Sequence, residues 1–409
     1  MSSGSRVVVG VGGGVAAYKV VELVRRLRES GHAVRVVPTA AALRFVGAPT
    51  WAALSGEPVG DDLWADAHEV PHVRIGQEAD LVIVAPATAD LLARAAHGLA
   101  DDLLANVLLT ARCPVLMAPA MHTEMWDHPA TRANVATLRA RGVVVLEPAV
   151  GRLTGADSGR GRLPEPRELA AVAERVLARG TAASTPDLAG RTVVVSAGGT
   201  REPLDPVRFL GNHSSGRQGY ALATTAVARG ADVVLVAANV ELPDPAGAKV
   251  VAVATAEELR TVVVEAAGSA DAVVMAAAVA DFAPVEAAAS KVKKDAGDPP
   301  VVRLRRTPDV LAELVGDRRP GQVIVGFAAE TGNADADWLE LGRRKLADKG
   351  CDVLVVNRVG EGRAFGTTDN AAVILTSDGR EVDVPLGPKE ALADQVWDAV
   401  ALRLGPADR

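Results

Sequence analysis

Short runs of β-branched residues alternate with longer amphipathic stretches along the whole chain. In the first half the runs at 7–11, 34–37, 81–85, 115–117 and 143–146 predict strands. The stretches at 15–29, 101–110 and 131–141 predict helices between them. The strand candidates are apolar throughout rather than alternating, which is what parallel strands covered on both faces require. Residues 179–190, RGTAASTPDLAG, interrupt the pattern with small, polar and turn-forming side chains and read as a linker. The alternation resumes with strands at 192–197, 233–237, 272–275, 323–327 and 353–356. The expected architecture is α/β: two doubly wound domains, 1–180 and 191–409, joined through 181–190.

Composition narrows the class. A chain of 409 residues suffices for two hydrophobic cores. With 49% hydrophobic and 23% charged residues it is globular rather than disordered. The net charge of −7 gives no reason for a polyanion partner, and 3% aromatic residues supply no stacking platform for nucleic acid. Cys113 and Cys351 lie far apart, outside any paired metal motif, which points to a reducing compartment. No apolar run approaches a bilayer span, and the first, 7–11, is too short for a signal-peptide core. A cytoplasmic protein with neither membrane nor nucleic-acid partner is expected.

Both halves open with a strand feeding a glycine-rich turn, GVGGGVAAYK and SAGGTREPLD. Glycines at 10, 12, 13 and 14 let backbone amides approach an anion at a helix N-terminus, although such glycines often serve only to turn the chain. The spacing is not GxGxxG, and no acidic residue follows the second strand to bind a ribose. A mononucleotide therefore fits better than a nicotinamide cofactor. VAPATAD at 84–90 sets Pro86, Ala87, Thr88 and Asp90 at the carboxyl end of a buried strand, where ligands bind in this fold class. APAMHTEMW at 118–126, carrying His122, follows the next strand in the same way. His72, in VPHVRIG, precedes the third strand, and a lone histidine there is most often structural.

Over about residues 6–163 these motifs resemble the flavin-dependent cysteine decarboxylases, specifically the phosphopantothenoylcysteine decarboxylase domain. The resemblance implies a flavodoxin-like domain binding FMN through Gly12, Gly13, Gly14, Val15, Pro86, Ala87, Thr88 and Asp90, with His72 catalytic. In that family the flavin oxidises the cysteinyl thiol to a thioaldehyde, an electron sink for decarboxylation, and then returns the electrons. Three positions depart from the family pattern. Gly12 replaces a phosphate-binding serine, His122 replaces the substrate-binding asparagine of a PxMN motif, and Gly155, in LTGADSGRGRL, replaces the proton-donating cysteine. The Thr154 hydroxyl or a bound water is then left to deliver the last proton. His122 is expected to donate a hydrogen bond to the substrate carboxylate. Its neutral form is the better catalyst, because a cation would stabilise the group being lost.

The second half carries denser motifs. In SAGGTREPLDPVRFLGNHSSGRQG at 196–219, Asn212, Ser214, Ser215, Gly216 and Arg217 crowd one helix N-terminus, an anion-binding arrangement. Capping a helix requires only one such side chain. MAAAVADF at 275–282 sets Asp281 at a strand end, poised for a nucleotide or its Mg²⁺. KVKK at 291–294 would by itself be solvated surface. RRTPDV, GFAAET and the lysines Lys345 and Lys349 complete the set. Spaced four apart, those lysines share a helix face and are placed to grip a triphosphate.

From about residue 190 onward the chain is similar to bacterial phosphopantothenate–cysteine ligases. The resemblance implies a Rossmann-like domain with nucleotide contacts from Met275, Ala276, Ala277, Asp281, Lys291, Pro308, Asp309, Val310, Leu311, Phe327, Lys345 and Lys349. It assigns phosphopantothenate to Asn212, Ser214, Ser215, Gly216 and Arg217, the last standing where a lysine is usual. Lys291 would assist formation of an acyl-nucleotide from CTP with Mg²⁺, and Asn212 would act when the cysteine amine attacks it. The expected ligands are FMN, CTP, Mg²⁺, 4'-phosphopantothenate and L-cysteine. The resemblance also implies a homo-oligomer, with decarboxylase trimers burying flavin at their contacts and ligase dimers closing a dodecamer. One reading is a bifunctional enzyme of coenzyme A biosynthesis. A second keeps the ligase and makes the first domain a flavin-binding scaffold, and a third is a non-enzymatic flavoprotein regulator.

Overall fold

The apolar runs of the first half become one parallel sheet: β1 (Arg6–Val11), β2 (Ala33–Pro38), β3 (Leu81–Ala87), β4 (Val115–Pro119) and β5 (Val144–Val145). Its order is β2-β1-β3-β4-β5, the flavodoxin-like arrangement. β3 is buried at every position, which explains its lack of polar alternation. The computed structural model describes residues 4–59, 71–153, 157–292, 301–330, 337–358 and 369–405. The chain divides into two units, Met1–Pro186 and Asp187–Arg409.

In the first unit α1 (Ala17–Glu29), α2 (Ala48–Ser55) and α8 (Pro166–Arg179) cover one face of the sheet, burying Leu23, Trp51 and Leu169 against it. The other face carries α3 (Pro71–Glu78), α4 (Ala89–His97), α5 (Leu103–Thr110) and α7 (Pro129–Ala140). The short α6 (Thr123–Asp127) precedes α7, and a hairpin of β6 (Ala149–Arg152) and β7 (Ser158–Arg162) follows β5.

The second unit opens with β8 (Thr192–Gly198), β9 (Arg201–Pro203), β10 (Phe209–Gly211) and α9 (Arg217–Ala228). Next come β11 (Asp232–Ala238), β12 (Ala248–Val253), α10 (Ala256–Ala267), β13 (Ala272–Met275), β14 (Phe282–Pro284) and β15 (Leu304–Arg306). The chain ends with α11 (Val310–Gly316), β16 (Val323–Glu330), α12 (Trp338–Lys349), β17 (Val353–Arg358), β18 (Asp369–Thr376), β19 (Glu381–Pro388) and α13 (Lys389–Leu404). The main sheet runs β12-β11-β8-β13-β16-β17-β18-β19, and its first six strands are parallel.

The last two strands depart from an all-parallel expectation, because β18 pairs antiparallel with both β17 and β19. The cause is local: Asp378-Gly379 turns the chain between them, with Gly379 at φ +86° and Thr376 receiving the Gly379 amide at 2.9 Å. β19 forms one outer edge and carries Glu381, Asp383, Pro385 and Pro388. Two small ribbons, β9–β10 and β14–β15, stand apart from the main sheet.

α9 and α13 pack together on one face, where the Trp397 indole N–H donates to the Leu222 carbonyl at 2.9 Å. At their junction lies Arg229, only 2% exposed. It bonds Asp187 through Nε at 2.8 Å, the Asp394 carbonyl at 2.9 Å and the Asp398 carboxylate at 2.9 Å. One guanidinium thereby ties the start of the unit to α9 and α13. Among the described residues no helix is long and apolar enough to cross a membrane.

Candidate active sites

In the first unit a cavity of about 870 Å³ opens where α1, α4 and the β4–α6 connection meet. A Cβ on Gly12 would stand 2.2 Å from the Pro86 carbonyl oxygen, and one on Gly13 would stand 2.3 Å from the Ala41 Cβ. The turn can lie against its neighbours only without side chains, which accounts for glycine rather than serine at position 12. Gly13, Gly14, Val15, Thr88 and Asp90 line the cavity, whereas Gly12, Pro86 and Ala87 do not, Gly12 packing instead against the Pro86 carbonyl. Among the described residues the Val15 and Ala16 amides have no hydrogen-bond acceptor and stand at the start of α1. Thr88 accepts the Leu91 amide at 3.2 Å to cap α4, with Asp90 in that helix's first turn.

His122 sits at the mouth, exposed, at the N-terminus of α6. The β6–β7 hairpin is pinned beside it: the Met121 amide donates to the Gly161 carbonyl at 2.9 Å, and a Cβ on Gly161 would stand 2.0 Å from the Met121 oxygen. His72 lies elsewhere. It is on α3, its carbonyl accepts the Thr110 hydroxyl at 2.9 Å, and it does not line this cavity. Thr154 and Gly155 fall outside the described residues. The cavity also contains Lys19, bonded to Glu165 at 2.9 Å, and Arg94, paired with Asp102 at 3.3 Å. Lys19 closes the GVGGGVAAYK motif in the first turn of α1, whereas Arg94 comes from the interior of α4, which no motif marks.

In the second unit a cavity of about 780 Å³ opens at the carboxyl ends of β8, β13 and β16. The chain leaves β8 through Gly198 at φ +85°, where a Cβ would stand 2.0 Å from the Ala238 carbonyl oxygen. The buried Ser196 hydroxyl accepts the Ala277 amide at 3.1 Å, and the Thr200 hydroxyl accepts the Ala280 amide at 2.9 Å. These bonds fix the segment that follows β13. Gly219 lets α9 press onto β8, since a Cβ there would stand 2.4 Å from that of Ala197.

Asn212, Ser214, Ser215, Gly216, Arg217, Met275, Ala276, Ala277 and Asp281 all line this one cavity. Pro308, Asp309, Val310, Leu311, Phe327, Lys345 and Lys349 line it too. Asn212 donates its side-chain amide to the Val279 carbonyl at 3.0 Å, which fixes its direction. Lys345 pairs with Glu330 at 3.2 Å, and Lys349 pairs with Asp309. Burial raises the Asp309 carboxyl, but the Lys349 hydrogen bond and the Ala312 amide outweigh it and hold the group below the usual carboxylate range.

Lys291 is exposed and does not line the cavity. Its neighbour Val292 is tethered, its amide donating to Asp205 at 3.2 Å and its carbonyl accepting from Arg208 at 3.3 Å. Asp205 also accepts the Val207 and Arg208 amides at 2.8 Å each, and this cradle holds its carboxyl below the usual range. Lys293, Lys294 and Thr331 lie outside the described residues. Among the described residues no cluster of three His, Cys, Asp or Glu could hold a metal, and Asp281 enters the cavity as a single carboxylate.

Four further polar residues to which the sequence assigned no role also line the cavity: Gln218, Asn357, Asn370 and Lys389. Asn357 donates to Asn370 at 2.6 Å, Asn370 to Gln218 at 2.9 Å, and Gln218 to the Lys389 carbonyl at 3.1 Å. Gln218 was visible inside the 196–219 motif. The other three come from β17, β18 and α13, whose sequences look like ordinary strand and helix.

Two family models match the chain. One described as flavoprotein matches residues 1–177, and one described as the DNA/pantothenate metabolism flavoprotein C-terminal domain matches residues 188–403. The chain is 60% identical over 401 residues to the coenzyme A biosynthesis bifunctional protein CoaBC of Mycobacterium tuberculosis, covering 97% of this chain and 96% of that protein. It is 58% identical over 414 residues to the protein of the same name from Mycolicibacterium smegmatis, covering all of both. A crystal structure of the C-terminal domain of a CoaBC protein is 32% identical, covers 54% of this chain and 98% of its own, and has a TM-score of 0.46.

Proposed function

We propose a division of two reactions between the two units, from the premise that this chain belongs to the CoaBC family of bifunctional coenzyme A biosynthesis proteins. The second unit joins cysteine to 4'-phosphopantothenate, and the first decarboxylates the product to 4'-phosphopantetheine. The observation that carries the ligase assignment is the gathering of residues from Asn212 to Lys349 around one cavity.

The ligase uses CTP. The pantothenate carboxylate attacks the α-phosphate, pyrophosphate leaves, and the resulting acyl-cytidylate is attacked by the cysteine amine with loss of CMP. Arg217 and the first amides of α9 hold phosphate, while Lys345 and Lys349 exchange Glu330 and Asp309 for nucleotide oxygens. Asn212 directs its amide toward the acyl oxygen in the second step. Lys291 approaches from the segment that Asp205 tethers. Mg²⁺ suits Asp281, because this ion is commonly held by one carboxylate together with substrate phosphates.

The first cavity fits FMN: the side-chain-free turn and the open amides of Val15 and Ala16 form a phosphate cradle. When bound, FMN supplies the two-electron oxidation and re-reduction of the cysteinyl group. His122 holds the substrate carboxylate at the mouth. His122→Ala should weaken binding of phosphopantothenoylcysteine by about tenfold, and an unchanged KM and kcat for decarboxylation would remove His122 from the step. In trimers that bury flavin at their contacts, a His72 outside its own cavity serves a neighbouring copy. Exposed Val207, Phe209, Phe282 and Leu304 on the two ribbons support a second, ligase-side face between copies. With two free cysteines and no disulfide, we place these reactions in the cytoplasm.

Incubation with 4'-phosphopantothenate, cysteine, CTP and Mg²⁺, followed by mass spectrometry, tests both halves. 4'-Phosphopantetheine as the end product supports the full reading. Accumulation of phosphopantothenoylcysteine leaves the first unit as a flavin-binding scaffold, a reading favoured by the lack of a thiol among the described residues of its cavity. Gly161→Ala should push the hairpin off Met121 and slow decarboxylation on the order of 10- to 100-fold, leaving ligation unchanged. An unaltered yield of 4'-phosphopantetheine would show that the hairpin's position does not matter.

A further inference from the structure

We propose that Lys389 is an anion-binding residue of the ligase cavity, seating with Arg217 a phosphate group at the start of α9; this rests on the ligase reading and deepens it. Lys389 opens α13, lines the cavity and is only 5% exposed. Lysine is almost never buried that far without a counter-charge. Yet its ammonium donates to one neutral partner, the Asp369 carbonyl at 3.1 Å, and among the described residues no carboxylate stands within ion-pair distance. Arg217, the first residue of α9, likewise has no ion-pair partner among the described residues. Burial, and after it the Arg217 charge, push the Lys389 ammonium below its usual range, so the two cations strain against each other. Asp369 and Glu390 act in the opposite direction and do not overcome the shift.

The contrast within the cavity is informative. Lys345 and Lys349 already hold carboxylates, whereas Arg217 and Lys389 hold none. The missing negative charge therefore belongs at the α9 end, where the helix's own N-terminal amides add to the attraction. The arrangement is also fixed in place, because Gln218 bonds the Lys389 carbonyl and is itself held by Asn370 and Asn357. A phosphate bears the charge and acceptor count that two cations and a set of amides can satisfy. Two sources supply it: the phosphates of the nucleotide and the phosphate of 4'-phosphopantothenate.

Calorimetric titration of the intact protein with Mg²⁺–CTP and, separately, with 4'-phosphopantothenate distinguishes them. Lys389→Met should weaken one of the two ligands by about tenfold to a hundredfold, the range of a lost charge-assisted hydrogen bond, and the weakened ligand identifies the source. Lys389→Arg should keep that affinity within a few-fold. In the parent the same affinity should fall as alkaline pH deprotonates Lys389, at lower pH than for an ordinary lysine, and the arginine variant should lack this fall. Unchanged binding of both ligands by Lys389→Met would overturn the role of Lys389 alone. Equal weakening of both, with a lowered melting temperature and no recovery in Lys389→Arg, would make the residue structural only. A parent protein that binds neither ligand would overturn the ligase reading of the cavity itself.

Discussion

Asn212→Ala is expected to slow formation of phosphopantothenoylcysteine on the order of 10²-fold while acyl-cytidylate still accumulates, because one preorganised amide donor is typically worth that much. The side chain is aimed before any ligand arrives. One N–H is held by the Val279 carbonyl at 3.0 Å, which sets the amide plane against the segment following β13. That segment is itself fixed by Ser196 and Thr200. A donor oriented this rigidly needs no reorganisation when charge develops on the acyl oxygen, and alanine removes it without disturbing the strand. Rapid quench should show a burst of pyrophosphate equal to the enzyme present, followed by slow turnover. An unchanged steady-state rate would take Asn212 out of the chemistry, and a missing burst would move it to the first half-reaction. Lys291→Gln should give the complementary result, losing the burst.

Arg229→Met should destabilise the second unit by about 3–5 kcal/mol, the usual effect of breaking a buried ion pair by removing one partner. Asp187, Asp394 and Asp398 all face this guanidinium, and Asp394 is only 4% exposed. Their mutual repulsion would no longer be offset. For a unit of this size the change corresponds to a melting point lower by about 6–20 °C. The chain has two units, so its melting is not one transition. Flavin release should follow the first unit and stay where it was, while loss of nucleotide binding follows the second. A shift of less than about 1 kcal/mol, the ceiling for exposed pairs, would show that water reaches the cluster.

Much of this was legible in the sequence, and the exceptions have physical causes. Unbroken apolar runs marked the parallel strands because burial on both faces leaves no polar alternation, as β3 shows. The antiparallel β18 and β19 were also marked, by Asp378-Gly379 between the apolar run of β18 and the alternating start of β19, a hairpin signal that the strand–helix rhythm obscured. Most of the ligase motifs, Lys291 excepted, fell around one cavity because they follow the carboxyl ends of β8, β13 and β16, while Lys345 and Lys349 reach it from α12. Lys389 and Asn370 could not be read in advance. Their place depends on β18 reversing direction and on α13 returning to α9, and neither is encoded near those residues. His72 illustrates the converse: its motif was plain, yet a single copy of the chain leaves it outside the cavity.

The β19 edge bears on how copies of the chain meet. An open strand is a template for another chain's backbone, and long exposed edges invite runaway sheet growth. Here Pro385 and Pro388 remove two amide donors, and Glu381 and Asp383 add like charge along the same rim. Two such edges brought together would repel each other and fail to complete a ladder. Growth by sheet extension is closed at this side, so association must be side chain to side chain. At this rim the chain gives another copy side chains to bind but no ladder to continue, so the strand cannot act as a template for sheet growth.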